Sequence, residues 1–544
     1  YCKPGKACWD NSTCPSCGAK FPPGCPCPNR TFVPPPLPLK AFLSKTLGSN
    51  MVLQRAPQQA TVWGFASAGT TVKVTMDGSH TMTATSDATG VWRQKLPATA
   101  GSDTPHAISF QGSGGQTAAM HNVLFGDVYL CGGQSNMQMP LKEAENGTAE
   151  IARGDHYPHI RLFTVSPANC STVPFEDLQP ASLQMNWSVG SSAALNQSFS
   201  GVCWLFGRDL YDKLGGSVPI GLIGDSCGGT PLEHWSTPEA LAPCPDSRWA
   251  AAPPPPGIGC TPGQSKCPDS ILYNAMIHPF TVGPMALSGF TWYQGESQLG
   301  VGGAAQSYAC TFPRMITEWR KLFKNPDAFF GFVQLACWCG GGASGDAEAE
   351  MRSLGQMPAA LLHKVGYATN ADHCDGCNIH PPAKQFVSGR LADSALALQY
   401  GKDVPWRSPT FKSQVASASP PSMTITLADV SSEGLDTDVY PYNWLSHDWH
   451  CAKGDKSCVQ AFDCSAGTAI ANSTHGALCA WGTLAFNTSS CAKPDPRTGC
   501  PPVSVNATIV AKGSTLVFTP PASHAAAGAP VSSSYGYGAV PMMS

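Results

Sequence analysis

Charge is scarce in this 544-residue chain. Lys, Arg, Asp and Glu together make up 13% of it and nearly cancel, leaving a formal net charge of −3. Without a basic excess there is no cationic face to neutralise a phosphate backbone, which argues against nucleic acid as a partner. Long apolar runs are missing as well. No stretch of about 18 consecutive apolar residues occurs, so no transmembrane segment is expected. The chain is also too long for one ordinary core, and two or three domains are expected.

What the chain holds in quantity is cysteine, glycine and proline, with 24, 55 and 49 residues respectively. Glycine and proline favour turns and β-structure over helical bundles. So many cysteines are accounted for by disulfides in an oxidising compartment, whereas a cytosolic protein would need metal or redox chemistry to explain them. Asn11, Asn29, Asn146, Asn169, Asn186, Asn196, Asn472, Asn487 and Asn506 each open an N-x-S/T acceptor triplet for glycosylation. The chain opens on Tyr1, which fits removal of a signal peptide. The expected setting is secreted, extracellular or lysosomal/lumenal, where assembly partners could also be met.

Four segments follow from the texture. Residues 1–39 hold six cysteines and the proline run Pro34–Pro38, and read as a disulfide-stapled leader with a stiff spacer. The string CPSCG within them resembles a zinc knuckle, but the chain is read without a metal site. Residues 40–122 alternate apolar and polar positions with frequent turns, the pattern of a β-sandwich. Residues 123–402 alternate apolar strands (VLFGDVYL, VPIGLIG, GFTWYQG, FFGFVQLA) with helical stretches such as GVCWLFGRDLYDKLG and MRSLGQMPAALLHKVG. Strands separated by helices imply an α/β domain, a parallel sheet covered on both faces. Residues 403–544 return to alternation and read as a C-terminal β-domain, with a cysteine-rich insertion at 445–500.

In an open α/β sheet, reactive groups gather at the carboxyl ends of the strands, and four such ends carry suggestive residues. In DVYLCGGQSNMQM, a glycine pair precedes Ser135, which could expose its hydroxyl on a sharp turn. In PIGLIGDSCGGTPLEHW, the N–H groups of Gly228 and Gly229 could face a developing oxyanion. In GFTWYQGESQ, Gln294 offers a side-chain N–H. In ADHCDGCNIHPPAKQ, His380 could act as a general base.

GQSNM, the GGTPxExW segment, WYQGES and NIHPxxKQ together resemble the sialate O-acetylesterases, a branch of the SGNH hydrolases. The strings MVLQR at 51–55, VWG at 62–64, LYNAMIHP at 272–279 and FVQLA at 332–336 agree. The resemblance covers roughly residues 45–400 well and the C-terminal β-domain loosely. It implies a flavodoxin-like catalytic domain flanked by N- and C-terminal β-domains. It also implies Ser135 as nucleophile, His380 as base, and an oxyanion hole of the Ser135 N–H, a Gly228 or Gly229 N–H, and Gln294. No cofactor is implied. The substrate would be an O-acetylated sugar or glycan, either sialic acid or a plant or algal polysaccharide.

The superfamily places an Asp three residues before the histidine, where this chain has Cys377. Asp372 and Asp375 are the nearest acids, and a backbone carbonyl could orient the ring instead, leaving a Ser–His dyad. Cys374 and Cys377 read as a disulfide beside the base. Ser226, in a GDS string, reads as structural, Glu296 as a carboxylate that positions Gln294, and Asn274 and His278 as groups lining the floor. Trp235, Trp292 and Tyr293 are either sugar platforms or core. The rival to the enzyme is a non-catalytic structural or carbohydrate-binding extracellular glycoprotein that keeps the same scaffold.

Overall fold

The structure is a computed structural model. It describes residues 40–166, 170–244, 269–299, 302–336, 346–371, 378–407, 409–430, 482–487, 503–506, 508–524 and 528–535. The leader, most of the 445–500 insertion, and Asp372, His373, Cys374, Asp375 and Cys377 lie outside the described residues. The chain forms two compact units. The first comprises Tyr1–Lys142, Asn146–Ser297 and Cys310–Phe330, and the second Glu143–Glu145, Gln298–Ala309 and Gly331–Ser544.

The first unit opens with β1 (Val52–Gln54), β2 (Thr61–Phe65), β3 (Thr71–Met76), β4 (His80–Thr85), β5 (Val91–Lys95) and β6 (Ser102–Gly112). Antiparallel pairing joins β2 to β5 and β3 to both β4 and β6. β3 alternates exposed and buried residues, as a strand with one wet face must. β7 (Thr117–Gly133) then runs for 17 residues. Its first part pairs antiparallel with β6, Gln111 opposite Thr117 and His106 opposite Val123.

From Val123 onward every residue of β7 is buried. There it becomes the middle strand of a parallel sheet, between β10 (Ile220–Ser226) and β11 (Gly289–Tyr293), with Cys131 opposite Gly224 on one side and Thr291 on the other. β10 pairs in turn with β8 (Ile160–Val165), and β8 with the antiparallel β9 (Leu183–Val189). A parallel sheet covered on both faces demands continuous apolar strands, which explains the change of texture after residue 122. The four apolar strings read as strands all form strands, the last being β12 (Phe329–Gln334).

The string GVCWLFGRDLYDKLG forms the helix Gly201–Lys213, which packs on β8 and β10. Ser200 caps it, its Oγ accepting the Cys203 N–H at 3.1 Å. The same hydroxyl donates to the Met137 carbonyl at 2.5 Å. A disulfide from Cys131, near the end of β7, to Cys203 fastens this helix to the sheet, and a second joins Cys244 to Cys310.

In the second unit, β13 (Val365–Thr369) packs against the helix Lys384–Leu398. A Cβ on Gly366 would lie only 2.8 Å from Ser394, so the two elements are in close contact. Farther along, β14 (Thr410–Ala418) and β15 (Pro421–Ala428) form an antiparallel hairpin. β16 (Gly482–Phe486) pairs with β17 (Val503–Asn506), and β18 (Thr508–Lys512) with β19 (Thr515–Thr519), which also joins β15. β20 (Ser532–Tyr535) completes the group beside β16. Met423, Leu484, Phe486 and Phe518 form its core.

One residue of β10 stands apart from its apolar neighbours. Asp225 is fully buried, and neither carboxyl oxygen has a hydrogen-bond partner among the described residues. Burial pushes its pKa well above the usual carboxylate range. The folded protein therefore holds a proton there that the unfolded chain releases. Stability from this group is complete below the unfolded value of 3.8 and is lost as pH rises toward the folded value. Asp225→Asn removes that loss. Thermal melts between about pH 4 and pH 7 should show the variant gaining on wild type as pH rises; a gap that does not change with pH would count against a neutral Asp225.

Candidate active site

β7 delivers the chain to Gly132 and Gly133. Gly133 has φ of +140°, and a Cβ there would come 2.2 Å from the Tyr293 carbonyl oxygen of β11. Only glycine tolerates both conditions. The close approach lets the Gln134 N–H donate to the Tyr293 carbonyl at 2.9 Å. The chain then turns into the short helix Ser135–Gln138. Ser135 is half-buried, between the buried Gln134 and Asn136.

The flanking residues are fixed by the loop after β11. Gln134 Oε1 accepts the Ser297 hydroxyl at 3.0 Å, the Ser297 N–H at 3.2 Å and the Gln294 Nε2 at 3.3 Å. Asn136 Nδ2 donates to Glu296 Oε1 at 2.6 Å. Glu296 thus holds the turn that carries Ser135 through Asn136, where the sequence suggested that it positions Gln294 and its loop.

The loop after β10 closes the other side. Ser226, opposite Gly133, is buried in the strand, and the Cys227 N–H donates to the Gly133 carbonyl at 3.0 Å. A Cβ built on Gly228 would lie 3.3 Å from Ser135 Cβ, so the glycine seats directly against the serine. Its N–H donates to Gln138 Oε1 at 2.7 Å. Gly229 follows at φ +69°, a left-handed conformation suited to glycine. Gln294 is fully buried, and its Nε2 donates to the Thr230 carbonyl at 3.1 Å as well as to Gln134. Burial pushes the Cys227 thiol up to about 12, so it stays protonated and unreactive.

Ser135, Gly228, Gly229 and Gln294 thus lie together in the first unit, and His380 lies in the second. The His380 N–H donates to Asn378 Oδ1 at 2.9 Å, a local turn that shapes its loop. The loop is tied down further by the Glu145 N–H, which donates to the Pro382 carbonyl at 2.9 Å, and by Gln385 Nε2, which donates to the Glu145 carbonyl. Arg390 donates to the Thr369 carbonyl at 2.9 Å, fastening the following helix to the end of β13. His380 Nε2 is buried without a hydrogen-bond partner among the described residues. Burial lowers its pKa below 6.5, the Lys384 ammonium lowers it further, and the Glu143 carboxylate opposes both. The imidazole therefore stays in its basic form at lower pH than an ordinary histidine.

Trp235, Trp292 and Tyr293 are fully buried, and the Trp292 ring lies 5.7 Å from the ring of Trp235 and 5.7 Å from that of Trp319. They are core rather than platforms for a sugar. Asn274 donates to the Ser171 carbonyl at 3.0 Å and His278 Nδ1 lies 2.8 Å from the Phe175 carbonyl, so both hold the 171–175 loop. Among the sequons, Asn146, Asn186, Asn196 and Asn487 are exposed, Asn506 ends β17, and Asn11, Asn29, Asn169 and Asn472 lie outside the described residues. Sequence reasoning missed Gln138 and Lys384. Their motifs, GQSNMQM and NIHPPAKQ, contained both residues, but nothing in their spacing distinguished them from neighbours.

Residues 125–380 match the family model described as carbohydrate esterase, sialic acid-specific acetylesterase. The chain is 37% identical over 389 residues to the human sialate O-acetylesterase, covering 65% of this chain and 70% of that one. The rat sialate O-acetylesterase is 35% identical over 402 residues, with 65% and 72% covered. The chain belongs to the sialate O-acetylesterase family. It is accordingly an esterase. Among solved structures, a carbohydrate acetylesterase from Xanthomonas citri superposes with a TM-score of 0.69 at 26% identity, covering 93% of this chain and 95% of that one.

Two outcomes follow from the geometry. Gly133→Ala forces a side chain into the Tyr293 carbonyl and should destabilise the protein by roughly 2 kcal/mol or more, read as a lower denaturant midpoint. Lys384→Met removes a cation beside His380, and NMR titration should show the His380 pKa rising toward the ordinary value. An unchanged titration would mean that Lys384 does not act on the imidazole.

Proposed function

We propose that this member of the family is a secreted carbohydrate O-acetylesterase that works through an acetyl-enzyme on Ser135. The observation that carries the reading is the seating of Gly228 against Ser135. The glycine packs against the half-buried serine, and its backbone N–H is fixed on Gln138 of the serine's own short helix.

In the proposed sequence, His380 takes the Ser135 proton as the oxygen attacks the acetyl carbonyl. The tetrahedral oxyanion rests on the Ser135 N–H and on a glycine N–H from Gly228 or Gly229. Gln294 supplies a further donor by exchanging a neutral acceptor for a charged one, an exchange that favours the transition state over the ground state. His380 then protonates the departing sugar hydroxyl, and water, activated by the same imidazole, releases acetate. The lowered pKa of His380 supports this role, since the base is unprotonated over a wider range. Asp372 is proposed to orient the imidazole, with Asp375 as the other carboxylate within the loop.

The substrate proposed is an O-acetylated sialic acid, by likeness to the relatives that carry that name. Secretion is supported by the two disulfides among the described residues and by the exposed sequons.

The test is hydrolysis of 4-nitrophenyl acetate and of O-acetylated sialic acid by wild type, Ser135→Ala and His380→Ala. Both variants should lose about 10³-fold or more in kcat/KM. Equal, background-level rates for wild type and Ser135→Ala would leave a non-catalytic glycoprotein, whereas equal rates above background would move the nucleophile elsewhere. Activity on acetylated polysaccharide but not on sialic acid would reassign the substrate.

A further inference from the structure

The half-site leaves one hydrogen bond without a catalytic account. Gly228, whose N–H is a proposed oxyanion donor, gives that N–H to the side-chain carbonyl of Gln138 at 2.7 Å. Gln138 sits one helical turn beyond Ser135, its own N–H donating to the Gln134 carbonyl at 2.8 Å. A Cβ on Gly228 would lie 3.0 Å from Gln138 Oε1 and 3.3 Å from Ser135 Cβ, so the amide oxygen and the serine flank the same glycine. We propose that Gln138 is a built-in stand-in for the substrate, its amide oxygen holding the Gly228 N–H until an ester carbonyl oxygen takes its place. This rests on the roles proposed above for Ser135 and Gly228.

The chemistry of the exchange is favourable in one direction only. A side-chain amide and an acetyl ester both present a neutral sp² carbonyl oxygen, so swapping one for the other brings the ground state little. When Ser135 attacks, the substrate oxygen gains negative charge and its bond to the N–H becomes charge-assisted, while Gln138 can offer only its neutral dipole. The occupant is thus displaced when the ester binds, and the charge-assisted bond keeps it from returning in the transition state. Meanwhile the donor is never left without an acceptor in the resting enzyme, a condition that would otherwise pull the loop toward some other partner. The cost falls on substrate affinity, because only the fraction of molecules with Gln138 swung away can receive the ester.

Gln138→Met keeps the length of the side chain but removes the competing oxygen. KM for 4-nitrophenyl acetate should fall about threefold with the gain appearing in KM rather than kcat; Gln138→Ala, with less packing, should agree in direction. Gln138→Glu places a carboxylate on the same N–H, and its KM should rise about tenfold at pH 7 relative to wild type. That excess should shrink at about pH 4.5 as the new carboxyl begins to take up protons. An unchanged KM with a tenfold loss in kcat for Gln138→Met would overturn the inference, as it would mean that Gln138 merely holds the loop. So would a defect of Gln138→Glu that does not vary with pH. Ser135→Ala in the same assay separates the two levels. If it hydrolyses as wild type does, the reading of the site fails and takes this inference with it; if it is inactive, the Gln138 variants judge the inference alone.

Discussion

The backbone of Gly133 lies so close to the carbonyl of Tyr293 that no side chain fits between them. That approach brings two strand ends together and lets the Gln134 N–H reach across to β11. Gln134, fixed at its N–H, presents its side-chain oxygen to the loop that carries Gln294 and Ser297. Asn136, on the far side of the serine, reaches Glu296 of the same loop. Ser135 is thus held between two neighbours that are both anchored to one loop, in addition to its own contact with Gly228. Ser200 adds a third restraint through the Met137 carbonyl, so the short helix cannot rotate without disturbing the cap of a longer one.

Around this turn, the groups that could compete with the serine are kept neutral. Asp225 lies one strand away with its charge suppressed by burial, and Cys227 holds its proton for the same reason. A buried anion at either position would oppose the negative charge that the proposed mechanism develops on the substrate oxygen. The same low polarity that makes these groups inert strengthens hydrogen bonds from the surrounding N–H groups. In the resting protein, those of Gly228 and Gln294 already have internal acceptors. The site is therefore pre-satisfied as well as pre-arranged.

Much of this was legible in the sequence because the motifs lie at strand ends. Continuous apolar strings such as VLFGDVYL can be read as strands buried on both faces, and the glycine pair before Ser135 announces a sharp turn. The helix from Gly201 was legible in the string GVCWLFGRDLYDKLG, whereas its cap, Ser200, emerges only in the structure. Three-dimensional partnerships were harder to see. Nothing local links Gln138 to Gly228, since the contact depends on two parallel strands ending level with each other. The fate of Trp235, Trp292 and Tyr293 depended on which side of the sheet was covered, which a run of aromatic residues cannot reveal. Glu296 could be placed near the site but not assigned to Asn136, because its loop follows a different strand.

β7 begins in an antiparallel layer, where its register with β6 shifts around His106, and continues as one strand into the spine of the parallel sheet. Two modules joined by a linker can melt separately; two layers that share a strand share their cooperativity. Ser135 follows two residues after that strand ends, so its placement draws on pairing as far back as Thr117. A truncation at the change of sequence texture would not trim an accessory piece. It would cut the longest strand in its middle and leave the serine attached to a fragment whose upstream register had lost its partner.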